Sequence, residues 1–127
     1  MATRTAVINW NGRIHDHDTI SSDEEEPYNF SKSITLDVGG LSQKHELSRT
    51  VDDEITHRGT LTLNVDANNV LRVSGTLEML EDDTVEGSSP IDMTEIFPDT
   101  TKKLFDARLE NGESDWVTIF LEVKNAS

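Results

Sequence analysis

The stretch Leu61-Thr62-Leu63-Asn64-Val65-Asp66-Ala67-Asn68-Asn69-Val70-Leu71-Arg72-Val73 decides the fold class. Leu61, Leu63 and Val65 alternate with polar residues, and Leu71, Val73, Leu77 and Met79 resume the alternation on the far side. Successive side chains of a strand point to opposite faces, so each apolar set lines one face of an extended segment. Between the arms, Asp66-Ala67-Asn68-Asn69 supplies turn residues, asparagine being tolerant of positive φ, and the whole reads as a β-hairpin. Ile55 and His57 can extend the first arm backwards, and Gly75 marks a bulge in the second.

The same period recurs on both sides. Ala6, Ile8, Trp10 and Ile14 share even positions, so Thr5 to Ile14 reads as a long strand with that face in the core, and Gly12 marks a bulge or bend. Phe30, Ile34, Leu36 and Val38 alternate in a second strand that Gly39-Gly40 stops. Leu41 to Ser48 reads as a third, in which Leu41 and Leu47 share a face with Gln43 and His45, a mixture suited to a sheet edge. Ile91 and Met93 give a short strand. Trp116 to Val123 gives a strong one, with Val117, Ile119, Leu121 and Val123 on one face and Trp116, Thr118 and Phe120 on the other.

Residues 99–111 admit two readings. As a short helix, Asp99 caps the start, Gly112 follows the end, and Leu104, Ala107, Arg108 and Leu109 share a face. As a strand, Phe105, Ala107 and Leu109 alternate and Asn111-Gly112 turns the chain into the last strand. Thr100 and Thr101 are poor helix formers, which favours the strand. The expectation is one all-β domain over residues 1–127, an antiparallel β-sandwich of about eight strands.

Charge is the chain's other pronounced property: 25 Asp and Glu face 11 Lys and Arg, a formal net charge of -14. Nucleic-acid phosphates require a basic face, and the basic residues here are scattered, with no cluster larger than Lys102-Lys103, so direct nucleic-acid binding is not expected. The absence of cysteine excludes disulfides and cysteine metal sites and fits a reducing compartment. No apolar run approaches the length of a membrane span or a signal peptide. The expectation is a soluble cytoplasmic protein. An acidic surface of this kind also serves solubility, or life in a salty cytoplasm.

Part of the charge gathers in His15-Asp16-His17-Asp18, in Ser21-Ser22-Asp23-Glu24-Glu25-Glu26 and in Glu81-Asp82-Asp83. Crowded carboxylates repel one another until a cation or a basic partner arrives. His15 and His17, two residues apart, project from one face of an extended chain, which is how a β-scaffold offers two ligands to a transition metal. His45 and His57 are the remaining histidines from which a third ligand could come. The HxHxDH hydrolase pattern fails at Thr19 and Ile20, and cupin spacing fails at Ser21 and Ser22. For a hard cation such as calcium, Asp16, Asp18, Asp23 and Glu24 would meet Glu81, Asp82 and Asp83 at one end of the sandwich. A parity count puts Asp52-Asp53-Glu54 at the opposite end.

Asp16 and Asp18 after the first strand, Ser22-Asp23-Glu24-Glu25-Glu26-Pro27-Tyr28 leading into the second, and the later Glu81-Asp82-Asp83-Thr84-Val85-Glu86-Gly87 together resemble a C2 domain. The resemblance implies an eight-stranded Greek-key sandwich, C2-like or jelly-roll-like, that binds calcium and through it anionic lipid or a protein. Thr76 and Glu78 stand where that family has paired aspartates, and no polybasic strand is present. A protein partner is therefore expected ahead of a membrane.

Three functions follow as expectations. The first is a small acidic binding module that takes calcium or another divalent cation through His15, Asp16, His17, Asp18, Asp23, Glu81, Asp82 and Asp83. The second is an acidic interaction or inhibitory protein, such as an immunity protein or nucleic-acid mimic, that binds a basic partner without metal. The third is a small metal-dependent enzyme centred on His15 and His17. Neither a nucleophile elbow nor a glycine-rich phosphate loop is present, so a binding role is favoured over catalysis.

Overall fold

The computed structural model describes residues 2–16, 24–51, 55–110 and 116–127. Eight strands account for 84% of the described residues, among which no helix is present. They are β1 (Thr3–Asp16), β2 (Glu24–Asp37), β3 (Gln43–Val51), β4 (Ile55–Val65), β5 (Leu71–Glu81), β6 (Thr84–Ile96), β7 (Thr101–Glu110) and β8 (Trp116–Ala126). Among the described residues no helix is long and apolar enough to cross a membrane.

The strands form two antiparallel four-stranded sheets, ordered β2-β1-β8-β7 and β3-β4-β5-β6. The antiparallel eight-stranded sandwich read from the alternation is present. Every hydrogen-bonded neighbour is the adjacent strand in sequence, except that β8 returns to pair with β1 from Thr5↔Ala126 to His15↔Trp116. This is a meander that almost closes on itself, in place of the Greek key that the C2 resemblance implies. The circuit is broken only between β2 and β3 and between β6 and β7.

Alternation accounts for the core. Ala6, Ile8, Trp10 and Ile14 of β1 pack with Val117, Ile119, Leu121 and Val123 of β8, and from the other sheet with Leu61, Leu63, Val73, Leu77 and Met79. The β4 ladder is strictly alternate, and its buried positions include His57. Pairing runs through Gly12 without interruption, Gly12 facing both Tyr28 and Ile119, so the expected bulge there is absent. The register shifts instead between Val73 and Gly75, between Met79 and Leu80, and between Lys103 and Phe105.

Gly75, beside the first of these shifts, must be glycine: a Cβ there would stand 2.0 Å from the backbone oxygen of Thr60 on β4. Within the span 99–111, Thr101–Glu110 form β7, which rules out the short helix there. The strand placed at Leu41–Ser48 begins at Gln43 and is indeed an edge strand, while Leu41 lies outside it, 93% exposed. The short strand at Ile91 and Met93 is part of the 13-residue β6.

Asn125 fastens the two sheets at one end. Its Nδ2 donates to the carbonyls of Asn69 and Ile96, each at 2.8 Å, and its Oδ1 accepts from Arg4 Nε at 2.9 Å. Arg4 Nη2 donates to Asn125 O and to Asp99 Oδ1, both at 3.1 Å. A buried amide is stable only when its polar atoms are matched, and here each one is.

Candidate functional site

A meander of alternating strand direction sorts its connections into two sets. Residues 38–42, 66–70 and 97–100 turn the chain at the end held by Asn125, where Val38 also bridges to Val65. At the other end β1 stops at Asp16 and β2 starts at Glu24, β3 stops at Val51 and β4 starts at Ile55, β5 stops at Glu81 and β6 starts at Thr84, and β7 stops at Glu110 and β8 starts at Trp116. The strand ends flanking Asp52-Asp53-Glu54 thus lie at the same end as those flanking residues 17–23. The parity count puts them at the opposite one; the structure corrects this, because the chain reverses twice, through β2 and β3, between the end of β1 and the end of β3.

Charge follows this division. Six acidic residues fall within 16–26, three within 52–54, four within 81–86 and three within 110–115, with no Lys or Arg in any of these segments. At the Asn125 end, Arg4, Lys44, Arg72, Lys102, Lys103 and Lys124 stand within three residues of a strand terminus beside Asp37, Glu46, Asp66, Glu95 and Asp99, and Arg13, Arg49, Arg58 and Arg108 stand as close to a terminus at the other end. Arg4 pairs with Asp99 at 3.1 Å and Arg72 with Asp66 at 3.4 Å there. The molecule is therefore electrically lopsided along its strands.

Of the residues singled out as ligands, His15 lies near the end of β1, its ring stacked on Trp116 at 4.8 Å and 4° between planes. The Arg108 guanidinium sits over the same indole at 5.2 Å. Asp16 closes the ladder opposite Glu24. His17, Asp18 and Asp23 fall outside the described residues. Glu81 faces Thr84, and Asp82 and Asp83 form the exposed two-residue turn between them, at φ 48° and 68°. Among the described residues no group of three or more His, Asp or Glu side chains is arranged to hold a metal ion.

The other histidines lie elsewhere. His45 Nε2 meets Gln43 Oε1 at 3.1 Å; partial burial, and then the nearby charge of Lys32, hold its pKa below the ordinary value. His57 is fully buried against Trp10, and loss of hydration pushes its pKa down to about 3, so it is neutral at physiological pH.

A second feature escaped the sequence. The two breaks in the circuit differ: at β6–β7 the chains come so close that a Cβ on Gly87 would stand 3.0 Å from Glu110 O. Between β2 and β3, Gln43 Nε2 reaches Thr35 O at 3.5 Å, and farther along a cleft of about 360 Å³ opens, lined by Trp10, Pro27, Asn29, Phe30, Ser48 and Arg49. Arg49 faces His57 across the β3–β4 ladder, and Phe30 faces Trp10 across β1–β2. Directly opposed residues share a face, so both belong to the core side of their strands. The available signal was Arg49 on the same parity as Leu47, a cation where an apolar residue is expected. No protein-family model matches the chain, and no curated protein matches it.

Proposed function

We propose that this protein is an acidic binding module whose hairpin end engages a positively charged macromolecular surface. The observation that carries this reading is that the segments spanning all four connections at one end hold sixteen acidic residues and no Lys or Arg, whereas at the other end acidic and basic residues are mixed. Four strands at about 4.8 Å spacing and two sheets about 10 Å apart make that end roughly 15 Å by 10 Å. A single calcium ion draws ligands only from within about 2.6 Å and would use one or two turns at most. An extended basic patch uses the whole face. The stacking of His15 on Trp116 gives that imidazole a packing role and favours binding over metal-dependent chemistry.

A labelled deca-lysine peptide serves as the probe. Its affinity should fall at least about tenfold between low and physiological salt and be the same in EDTA, because long-range attraction between opposite surfaces is screened. Glu24→Gln, Glu25→Gln and Glu26→Gln together should weaken it, whereas Asp92→Asn with Glu95→Gln, on β6 toward the other end, should not. Equal loss in both variants would reduce the effect to net charge. Binding that requires millimolar calcium would establish the divalent-cation module, with Asp82 and Asp83 among its ligands, in place of the metal-free one.

A further inference from the structure

β2 ends its sheet, and the hydrogen bonds already made along it fix what its outer edge still offers. Val38 N–H donates to Ala2 O at 3.0 Å, and the register back to Glu24 is unbroken, so the even-numbered residues of β2 turn their N–H and C=O groups toward β1. A residue of an antiparallel strand sends both groups to the same side, and the odd-numbered ones therefore point away. Thr35 agrees: its carbonyl accepts from Gln43 Nε2 across the seam at 3.5 Å. Pro27 has the same parity and no N–H to offer. Between these two bounds Asn29, Ser31 and Ser33, all exposed, carry a row of N–H and C=O groups that no described strand pairs with. The cleft beside Pro27, Asn29 and Phe30 holds β3 away from it.

We infer that this row pairs with the same row of a second copy of the chain, antiparallel about a two-fold axis at Ser31. An isologous contact must map its own donors onto its own acceptors, and only a ladder centred on Ser31 maps the row onto itself. It sets Ser31 opposite Ser31 and Asn29 opposite Ser33, with about six backbone hydrogen bonds in all. The same register sets Pro27 opposite Thr35, so the position without a donor meets the one whose carbonyl is already taken. On the core side Phe30, 42% exposed, comes opposite Lys32. An inward lysine ordinarily discourages edge pairing; here its ammonium lies over the facing aromatic ring, a cation–π contact. From Pro27 to Ser33 the only charged residue is Lys32, so the paired stretch brings no carboxylates together although each molecule carries a net charge of -14. The contact consumes both edges that it joins and closes as a dimer.

Analytical ultracentrifugation of the full chain reads the association. Its constant should rise at least about tenfold from low salt to about 0.5 M NaCl, as repulsion between like-charged molecules is screened. That dependence is opposite in sign to the capture of a basic surface at the acidic turns, so either can fail without the other. Ser31→Pro removes an N–H that faces away from β1, and it should weaken association at least about tenfold while native spectral dispersion is kept. Because the chain has no cysteine, Ser31→Cys introduces a single thiol whose symmetry mate lies about 5.5 Å away between Cα atoms, and it should oxidise to a covalent dimer. Ser33→Cys, about 13 Å from its own mate, should do so at least about tenfold more slowly. The two thiols decide the register whatever proline does to folding. A chain still monomeric at about 1 mM in high salt, an undiminished dimer in a well-dispersed Ser31→Pro variant, or equal oxidation of the two thiols would each overturn the pairing.

Discussion

The indole of Trp10 on β1 and the imidazole of His57 on β4 meet edge to face, 4.2 Å between centroids and 72° between planes, joining the two sheets in the middle of the core. Aromatic pairs favour this geometry because the positive edge of one ring meets the negative face of the other. The contact puts a titratable group where it cannot be hydrated, and stability must then depend on pH.

His57 has a pKa of about 3 in the folded protein, against about 6.5 in an unfolded chain. Below pH 6.5 the unfolded state takes up a proton that the folded state refuses, so stability is full above that value and falls as pH drops toward 3. Between pH 7 and pH 5 the loss from this one group is about 2 kcal/mol. Urea unfolding of wild type and His57→Phe at both pH values isolates it, since contributions from the carboxylates are common to the two proteins. Identical pH slopes would show that the imidazole reaches water.

The β5–β6 turn carries aspartates where both φ angles are positive, 48° at Asp82 and 68° at Asp83. Such turns favour Asn-Gly, because a Cβ in the left-handed region crowds the backbone. Asp82→Asn with Asp83→Gly should raise stability by about 1–2 kcal/mol while deleting two charges from the acidic end. Urea unfolding measures the gain, and a loss would mean that the carboxylates contribute more than the backbone costs.

Asn125 serves two carbonyls and one guanidinium from within the protein. Asn125→Ala leaves all three short of a partner and should cost about 2–4 kcal/mol. Asn125→Asp keeps the shape but turns two donated bonds into oxygen facing oxygen, so it should be no better than alanine. Thermal unfolding ranks the pair, and a neutral alanine variant would mean that water replaces the amide.

Two glycines separate steric need from mere tolerance. A Cβ at Gly75 meets Thr60 O at 2.0 Å, whereas one at Gly59 meets only the Leu77 Cδ2 methyl at 3.2 Å. Gly75→Ala should therefore cost at least about 2 kcal/mol and Gly59→Ala under about 1, since a methyl can turn aside and a backbone cannot. Comparable losses, read from urea midpoints, would mean that the β4 backbone yields at Thr60 as readily as the Leu77 methyl.

How much of this was legible varies with the range of the interaction involved. Alternation reports which face of a strand is buried, and Leu61 to Met79, Ala6 to Ile14 and Val117 to Val123 were read correctly because burial is all they express. Phe30 fits the same parity yet is 42% exposed, because its strand runs along an open seam that parity within one strand cannot report. Residues 24–29 lack apolar alternation and join β2 only through the ladder to β1, Glu24 opposite Asp16 and Asn29 opposite Asn11. The choice between helix and strand at 99–111 was settled by β8, which supplies hydrogen-bond partners from Trp116 to Lys124. The acidic segments were visible from the start. That their flanking strand ends share one end of the sandwich follows from the two strands that separate each segment from the next, each of which reverses the chain.

The pairing of β8 between β1 and β7 also orders events in time. A ribosome releases this polypeptide from its N-terminal side, so β3 to β6 can zip together, each onto its predecessor, as they emerge. The β1–β2 hairpin must wait with one edge bare until Trp116 to Ala126 has been made. Half of the molecule is thus committed early and half is held open until the last strand arrives, and a translation stalled before Trp116 leaves an unfinished sheet for chaperones to shield.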